Sequence, residues 1–234
     1  QLPKLPPCDP WTLTDKLGHE KDVTGMFMSG HPLDHFRFEL RHYGVTPLGK
    51  FNEFTESINE QASPGQPFRL AGLVVSAQHR TTRTGRNFAI LAIEDYTGKA
   101  EFALWSQDYT KYAQFLNIGL NLYVVGQHKP RMKYGPDQQL EQQGWEFKIS
   151  GIYLLETLRT SATKQVDILI EPSNITTQMI GFMEQQLKKN VGGTKLKFLV
   201  RDSIRNFDIE MMSSKSYSLN EEMADYLLNT TELD

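Results

Sequence analysis

Phe68-Arg-Leu-Ala-Gly-Leu-Val-Val-Ser-Ala-Gln-His79, followed after the loop Arg80-Thr-Thr-Arg-Thr-Gly-Arg86 by Asn87-Phe-Ala-Ile-Leu-Ala-Ile-Glu94, is the stretch that decides the fold. Both runs are rich in Val, Ile, Leu and Phe and follow a period of two, which predicts strands. Working outward, the same period returns at Ala100–Trp105, Leu120–Gln127 and Trp145–Leu155, with Asp95-Tyr-Thr-Gly98 as a tight turn between the second and third runs. Gln107–Leu116 is the one helical stretch in this block. Five short strands with a helix between the third and fourth is the order of an oligonucleotide-binding (OB) barrel, and residues 68–155 are expected to form one.

On the N-terminal side, residues 55–67 are polar and read as a linker, and residues 1–54 as a linker and helical connector. Pro3, Pro6 and Pro7 make the opening extended. Thr14 or Asp15 can cap a helix running to about Met28, with Leu17, Thr24, Phe27 and Met28 on one side, closed by Ser29-Gly30. Pro32 suits the first turn of a second helix, Leu33–Tyr43, whose stripe is Leu33, Phe36, Leu40 and Tyr43. On the C-terminal side, residues 156–234 suggest a small β-α-β-β-α domain: a strand at Val166–Ile170, a helix at Asn174–Lys189, a Gly192-Gly193 turn, strands Lys195–Arg201 and Asn206–Met212, and a closing helix Leu219–Leu228. The fold class is α+β, mainly β.

The chain has 234 residues, room for one large or two small domains at roughly 150 residues each. Its longest purely apolar run, Phe88–Ile93, is far short of the ~20 residues of a membrane helix, so no membrane partner is expected. The N-terminus has no signal-like apolar stretch and no initiating Met, and reads as a piece cut from a longer chain. The single cysteine, Cys8, excludes an internal disulfide framework and fits a reducing, cytoplasmic setting. Net charge is −3, yet residues 68–155 hold ten Lys/Arg against seven Asp/Glu, whereas residues 156–234 hold nine against twelve. The middle third is the only net-basic piece.

Single-strand binding combines cations that track phosphates with aromatic faces on which bases stack. The loop joining the first two strands supplies Arg80, Arg83 and Arg86; the end of the fourth strand and its following loop supply Lys129, Arg131 and Lys133. Phe88 follows Arg86, Tyr134 follows Lys133, and Trp105 alternates onto the same face as Lys99. These ten residues form the candidate nucleic-acid site, with a core role as the rival reading for each aromatic. His31 and His35 stand four apart but lack a third ligand at metal spacing, so His31 is read as fixing the turn before Pro32. Asp208 and Glu210 face one side of a predicted strand, as two-metal chemistry would require, and are read as a solvated strand face. Gly192-Gly-Thr-Lys195 lacks phosphate-loop spacing, and Gln178–Phe182 is read as helix core. No catalytic residue, metal site or cofactor is expected in this chain.

The segment Gly25-Met-Phe-Met-Ser-Gly-His-Pro-Leu-Asp-His-Phe36 resembles the Ser-Gly-His-Pro-Leu segment of the alpha subunit of bacterial replicative DNA polymerase III, the family C polymerases. Ala71–Val75, the turn Glu94–Gly98 and the β-α-β-β-α tail continue the resemblance in order. It implies a C-terminal region lying downstream of a Mg²⁺-dependent polymerase centre, with a barrel associated with single-stranded template DNA. The last block would meet the clamp-loader tau subunit and other replisome proteins. One departure is that residues 1–25 contain no clamp-binding peptide of the kind that precedes this segment in the family. The alternatives are a tRNA-binding OB module of aminoacyl-tRNA synthetase type and a metal-dependent nuclease using Asp208 and Glu210.

Overall fold

A computed structural model describes residues 11, 13–25, 27–58, 65–134 and 140–230, the side chains of residues 13–15, 21–22, 133–134 and 140–141 excepted. Five antiparallel strands form one sheet in the order β3-β2-β1-β4-β5: β1 (Pro67–Thr81), β2 (Asn87–Glu94), β3 (Lys99–Trp105), β4 (Asn121–Tyr134) and β5 (Leu140–Leu154). The central strand β1 serves two partners. Its first half pairs with β4 and its second with β2, and the register shifts between Val74 and Ser76 where one pairing gives way to the other. A bulge adds local twist, which a curling sheet needs. Leu70, Val74, Leu91, Ile93, Phe102 and Leu104 fill the interior. The strand alternation was legible; the lengths of β4 and β5 were not. Both run past the expected limits as a long hairpin, through Pro130 beside a second register shift, a position where a sheet tolerates proline.

Helix α1 (Leu13–Thr24) stops short of the expected Met28, because the segment after it folds back. The Glu20 carboxylate accepts from the backbone N–H of Met28 (3.0 Å) and of Ser29 (2.8 Å). Leu17 is buried, whereas Thr24 and Met28 are exposed rather than on a shared packing face. The second helix begins as a 3₁₀ turn, Pro32–Phe36, and continues as α2 (Arg37–His42). His31 opens it: its Nδ1 accepts from Leu33 N–H (3.1 Å), and Asp34 accepts from His31 N–H (2.7 Å), a reciprocal cap. Phe36 and Phe38 then point to different cores, the first beside Ala71, Tyr123 and Leu155, the second beside Ile168 and Leu196. The buried Glu39 carboxylate meets Arg159 Nε at 2.6 Å, on α5 (Leu155–Ala162), a helix that begins at Leu155, where the expected fifth strand ends.

The expected linker at 55–67 begins inside a helix. α3 (Leu48–Ser57) buries Leu48 and Phe51 in the barrel core, and Ile58 is buried just after it. Pro47 at its start offers no side-chain acceptor, and the cap comes from the β2–β3 turn instead. Asp95 Oδ2 accepts from Leu48 N–H (2.8 Å) and Thr97 Oγ1 from Gly49 N–H (2.8 Å), so acidic and hydroxyl oxygens meet the electropositive helix start. In the same turn Tyr96 OH donates to Asp34 Oδ1 (2.7 Å). Burial and that neighbouring carboxylate push the Tyr96 phenol well above its ordinary pKa. Two of the stretches quoted for the resemblance thus touch, through this hydrogen bond and through the His31 and Tyr96 rings, whose centroids are 4.3 Å apart.

The last block is a three-stranded sheet, β6-β7-β8, of β6 (Gln165–Ile170), β7 (Val191–Asp202) and β8 (Phe207–Met212). β6 and β7 are parallel, joined through α6 (Thr177–Lys189), and β8 returns antiparallel. Ile168, Ile170, Leu196 and Val200 pack with Met179 and Met183 of α6 and Met223 of α7 (Glu221–Asn229). Gly192 and Gly193 lie within β7, not in a turn. A Cβ on Gly192 would stand 2.6 Å from Ser218 N, so the residue is small because another backbone crosses there.

Candidate nucleic-acid interface

Strand β3 divides its residues cleanly: Ala100, Phe102 and Leu104 are buried, while Lys99, Glu101, Ala103 and Trp105 face outward. Trp105 is 50% exposed, which rules out the rival core role for it. Register places it directly across from Phe88 on β2, and Phe88 directly across from Arg80 on β1. Three of the expected residues therefore form one row over three strands. The Phe88 and Trp105 rings lie nearly parallel, with centroids 4.5 Å apart and an 18° interplanar angle. They form one two-ring plate, and the half-exposed indole leaves aromatic surface on which a further flat π system can stack.

The Arg80 guanidinium donates to Gln78 Oε1 (2.6 Å), which aims it along the outer face. Arg83 and Arg86 sit in the tight β1–β2 loop. Thr82 N–H donates to Arg86 O (2.8 Å), Arg86 N–H to Thr82 Oγ1 (3.0 Å), and Gly85, at φ 77°, takes the left-handed turn. None of these three arginines has a carboxylate partner among the described residues. Their charge is available to an external anion.

The remaining expected residues are not gathered there. Lys99 lies at the other end of β3, six residues or about 20 Å from Trp105, and its ammonium is 3.0 Å from Glu101. Lys129 and Arg131 are exposed on the long hairpin. Arg131 lines a cleft of about 240 Å³ between the free edge of β3 and β5, which it shares with Trp105, Lys148, Glu101, Asp108 and Glu146. The Lys133 and Tyr134 side chains lie outside the described residues, as does the 135–139 loop.

A second cleft, of about 620 Å³, is lined by Asn87 and Ser106, the chain neighbours of Phe88 and Trp105, rather than by the two rings themselves. Its wall is α4 (Ser106–Tyr112), which leaves β3 at Ser106 with φ 40°. Arg86, Asn87, Gln107, Thr110 and Lys111 line it. Sequence reasoning passed over Lys111 and Gln107 because a lone cation on a short helix carries no motif. Only the pairing of Phe88 with Trp105 brings that helix beside the arginine loop. Asp208 and Glu210 share one side of β8, as their alternation predicts, and each is matched by a cation: Asp208 by Arg201 Nε (3.1 Å), Glu210 by Lys197 Nζ (2.9 Å). Among the described residues, no group of three or more His, Cys, Asp or Glu gathers as metal ligands would, and no helix is long and apolar enough to cross a membrane.

Residues 68–155 match the family model described as "OB-fold nucleic acid binding domain", and residues 166–234 the model described as "DNA polymerase III alpha subunit, C-terminal domain". DNA polymerase III subunit alpha of Bacillus subtilis (strain 168) is 25% identical over 192 residues, 82% of this chain and 16% of that protein. The subunit of Escherichia coli (strain K12) is 30% identical over 120 residues, 51% of this chain and 10% of that one. The chain spans only 9% to 16% of the length of the curated relatives it matches. Among solved structures, a small single-stranded DNA-binding protein from Streptomyces coelicolor aligns over 38% of this chain and 93% of its own, at 18% identity and a TM-score of 0.22.

Proposed function

We propose that this chain is a C-terminal region of a DNA polymerase III alpha subunit and that its barrel holds single-stranded template DNA across the outer face of β2 and β3. The observation that carries this reading is the Arg80–Phe88–Trp105 row, an exposed stacked plate flanked by arginines without carboxylate partners. A base stacks on Trp105, and Arg80, Arg83 and Arg86 meet the neighbouring phosphates. Residues 156–234 dock a replisome protein, the clamp-loader tau subunit being the partner that the resemblance implies. Their net negative charge disfavours phosphate and supports a protein-facing role. The chain does not itself catalyse and needs no cofactor; Mg²⁺-dependent nucleotidyl transfer belongs to the rest of the parent protein, in a cytoplasmic setting.

Fluorescence anisotropy of a labelled oligo-dT tests the barrel. The protein should bind it, and Trp105→Ala should weaken binding by about 1–3 kcal/mol, or roughly 5- to 150-fold, with little change in salt dependence, because stacking releases no counterions. Absence of binding at low salt overturns the reading. Competition by tRNA that exceeds competition by unlabelled single-stranded DNA favours the tRNA-binding alternative. Metal-dependent cleavage of the probe, abolished by Asp208→Asn, favours the nuclease.

A further inference from the structure

The two clefts beside the Phe88–Trp105 plate differ in charge, and that difference selects a path for the bound strand. On the β5 side, Arg131 and Lys148 face three carboxylates, Glu101, Asp108 and Glu146, and the Lys148 ammonium is already 3.3 Å from Asp108. On the α4 side, the lining includes Arg86 and Lys111 and no carboxylate. Neither cation has an ion-pair partner within 4 Å among the described residues; Lys111 Nζ rests 4.7 Å from the centroid of the Tyr112 ring, and Tyr112, with the charge of Asp108 from the same helix, raises the lysine's pKa.

Chain geometry puts the α4 cleft next in line. Asn87 and Ser106 directly adjoin the paired Phe88 and Trp105, so the cleft begins where the plate ends. The left-handed backbone at Ser106 swings α4 out of the plane of β3 and raises it as a wall. Asn87 Oδ1 accepts from Thr81 Oγ1 (3.0 Å), which leaves the Asn87 amide NH₂ to donate outward. The cations Arg86 and Lys111, with the amide and hydroxyl groups of Asn87, Gln107 and Thr110, are the groups of this cleft that can meet a polyanion backbone.

We infer that the single strand leaves the plate over α4, with the phosphate after the stacked base held between Arg86 and Lys111, and not through the cleft toward β5. Lys111 is then a phosphate-binding residue of the barrel, outside the two loops that usually frame the site in this fold. The inference rests on the proposed single-strand binding by the same face, and the measurement separates the two.

Labelled oligo-dT is titrated by anisotropy across a salt series with the whole chain, wild type, Lys111→Ala, Lys111→Arg and Lys148→Ala. Each phosphate contact contributes about 0.7 to the slope of log affinity against log salt. Lys111→Ala should lower the slope by about that amount and weaken binding about fivefold at 0.1 M salt relative to 1 M, the same 0.7 log units over one decade. Lys111→Arg should restore the slope, and Lys148→Ala should leave it at the wild-type value. A slope lowered by Lys148→Ala and untouched by Lys111→Ala overturns the path while single-strand binding stands. A wild-type protein that fails to bind overturns the barrel reading and the path with it.

Discussion

The outer face of β2–β3 and the β7–β8 edge of the small C-terminal sheet have similar compositions and opposite wiring. Each shows aromatic or aliphatic side chains: half-buried Phe88 and exposed Trp105 on the barrel, in the same row as Arg80, and Phe207, Ile209 and Met211 on β8, on the opposite side of that strand from Asp208 and Glu210. Each also carries cations. On the barrel, Arg80, Arg83 and Arg86 have no carboxylate partner among the described residues, whereas on the sheet Arg201 and Lys197 are matched by Asp208 and Glu210. A paired cation releases no counterion when phosphate arrives, and an exposed pair contributes only about 0–1 kcal/mol to stability. Availability of positive charge, rather than its amount, distinguishes a surface for nucleic acid from one that is merely solvated.

The largest effect that could break this comparison is on salt dependence. Replacing Arg80, Arg83 and Arg86 together by Ala should lower the slope for oligo-dT by about 2, or about 100-fold in affinity between 1 M and 0.1 M salt, if each contributes about 0.7. An unchanged slope measured by anisotropy would mean that the loop is a spacer and the two surfaces are alike after all.

A smaller effect concerns what keeps the barrel face in place. His128 on β4 is buried among Phe51, Phe54, Phe68 and Phe147, with Nε2 3.1 Å from Thr55 Oγ1 on α3 and Nδ1 without a hydrogen-bond partner among the described residues. Burial pushes its pKa below the ordinary value. The imidazole therefore stays neutral in the folded chain at a pH where the unfolded chain, titrating near 6.5, already binds a proton. Its contribution to stability is full above about pH 6.5 and is lost as pH falls below that, by about 1.4 kcal/mol per unit of separation between the folded and unfolded pKa values. His42, lowered by burial and by Arg41, acts in the same direction. Urea denaturation of wild type and His128→Phe at pH 7 and pH 5.5 should show a shallower acid loss in the variant; equal losses would place the pH dependence elsewhere.

The smallest effect sharpens the comparison from the other side. Lys197→Ala with Arg201→Ala should leave oligo-dT affinity and slope at the wild-type values and change stability by no more than about 1 kcal/mol per exposed pair. A fall in slope in this double variant would show that paired cations on the small sheet also contact the strand.

The alternation of Ala100, Phe102 and Leu104 against Lys99, Glu101 and Trp105 was readable along β3, because a strand's period is a property of the local backbone. So were the five-strand order, the polar arginine loop and the His31 cap, each set by neighbours within a few residues. The stack of Phe88 on Trp105 was not, since it depends on which residue of β3 stands opposite which residue of β2. Nor was the cap of α3, whose acceptors Asp95 and Thr97 lie 47 and 48 residues from the N–H groups they satisfy. Gly192 reads as a turn until the crossing backbone at Ser218 is seen, and Asp208 as part of a solvated strand face whose partner, Arg201, only the strand pairing identifies. Sequence by itself determined which side chains face out on β3; tertiary structure alone decided which of them meet and which charges remain unpaired. Burial periodicity is written residue by residue, whereas register and long-range pairing are settled only when the sheet closes.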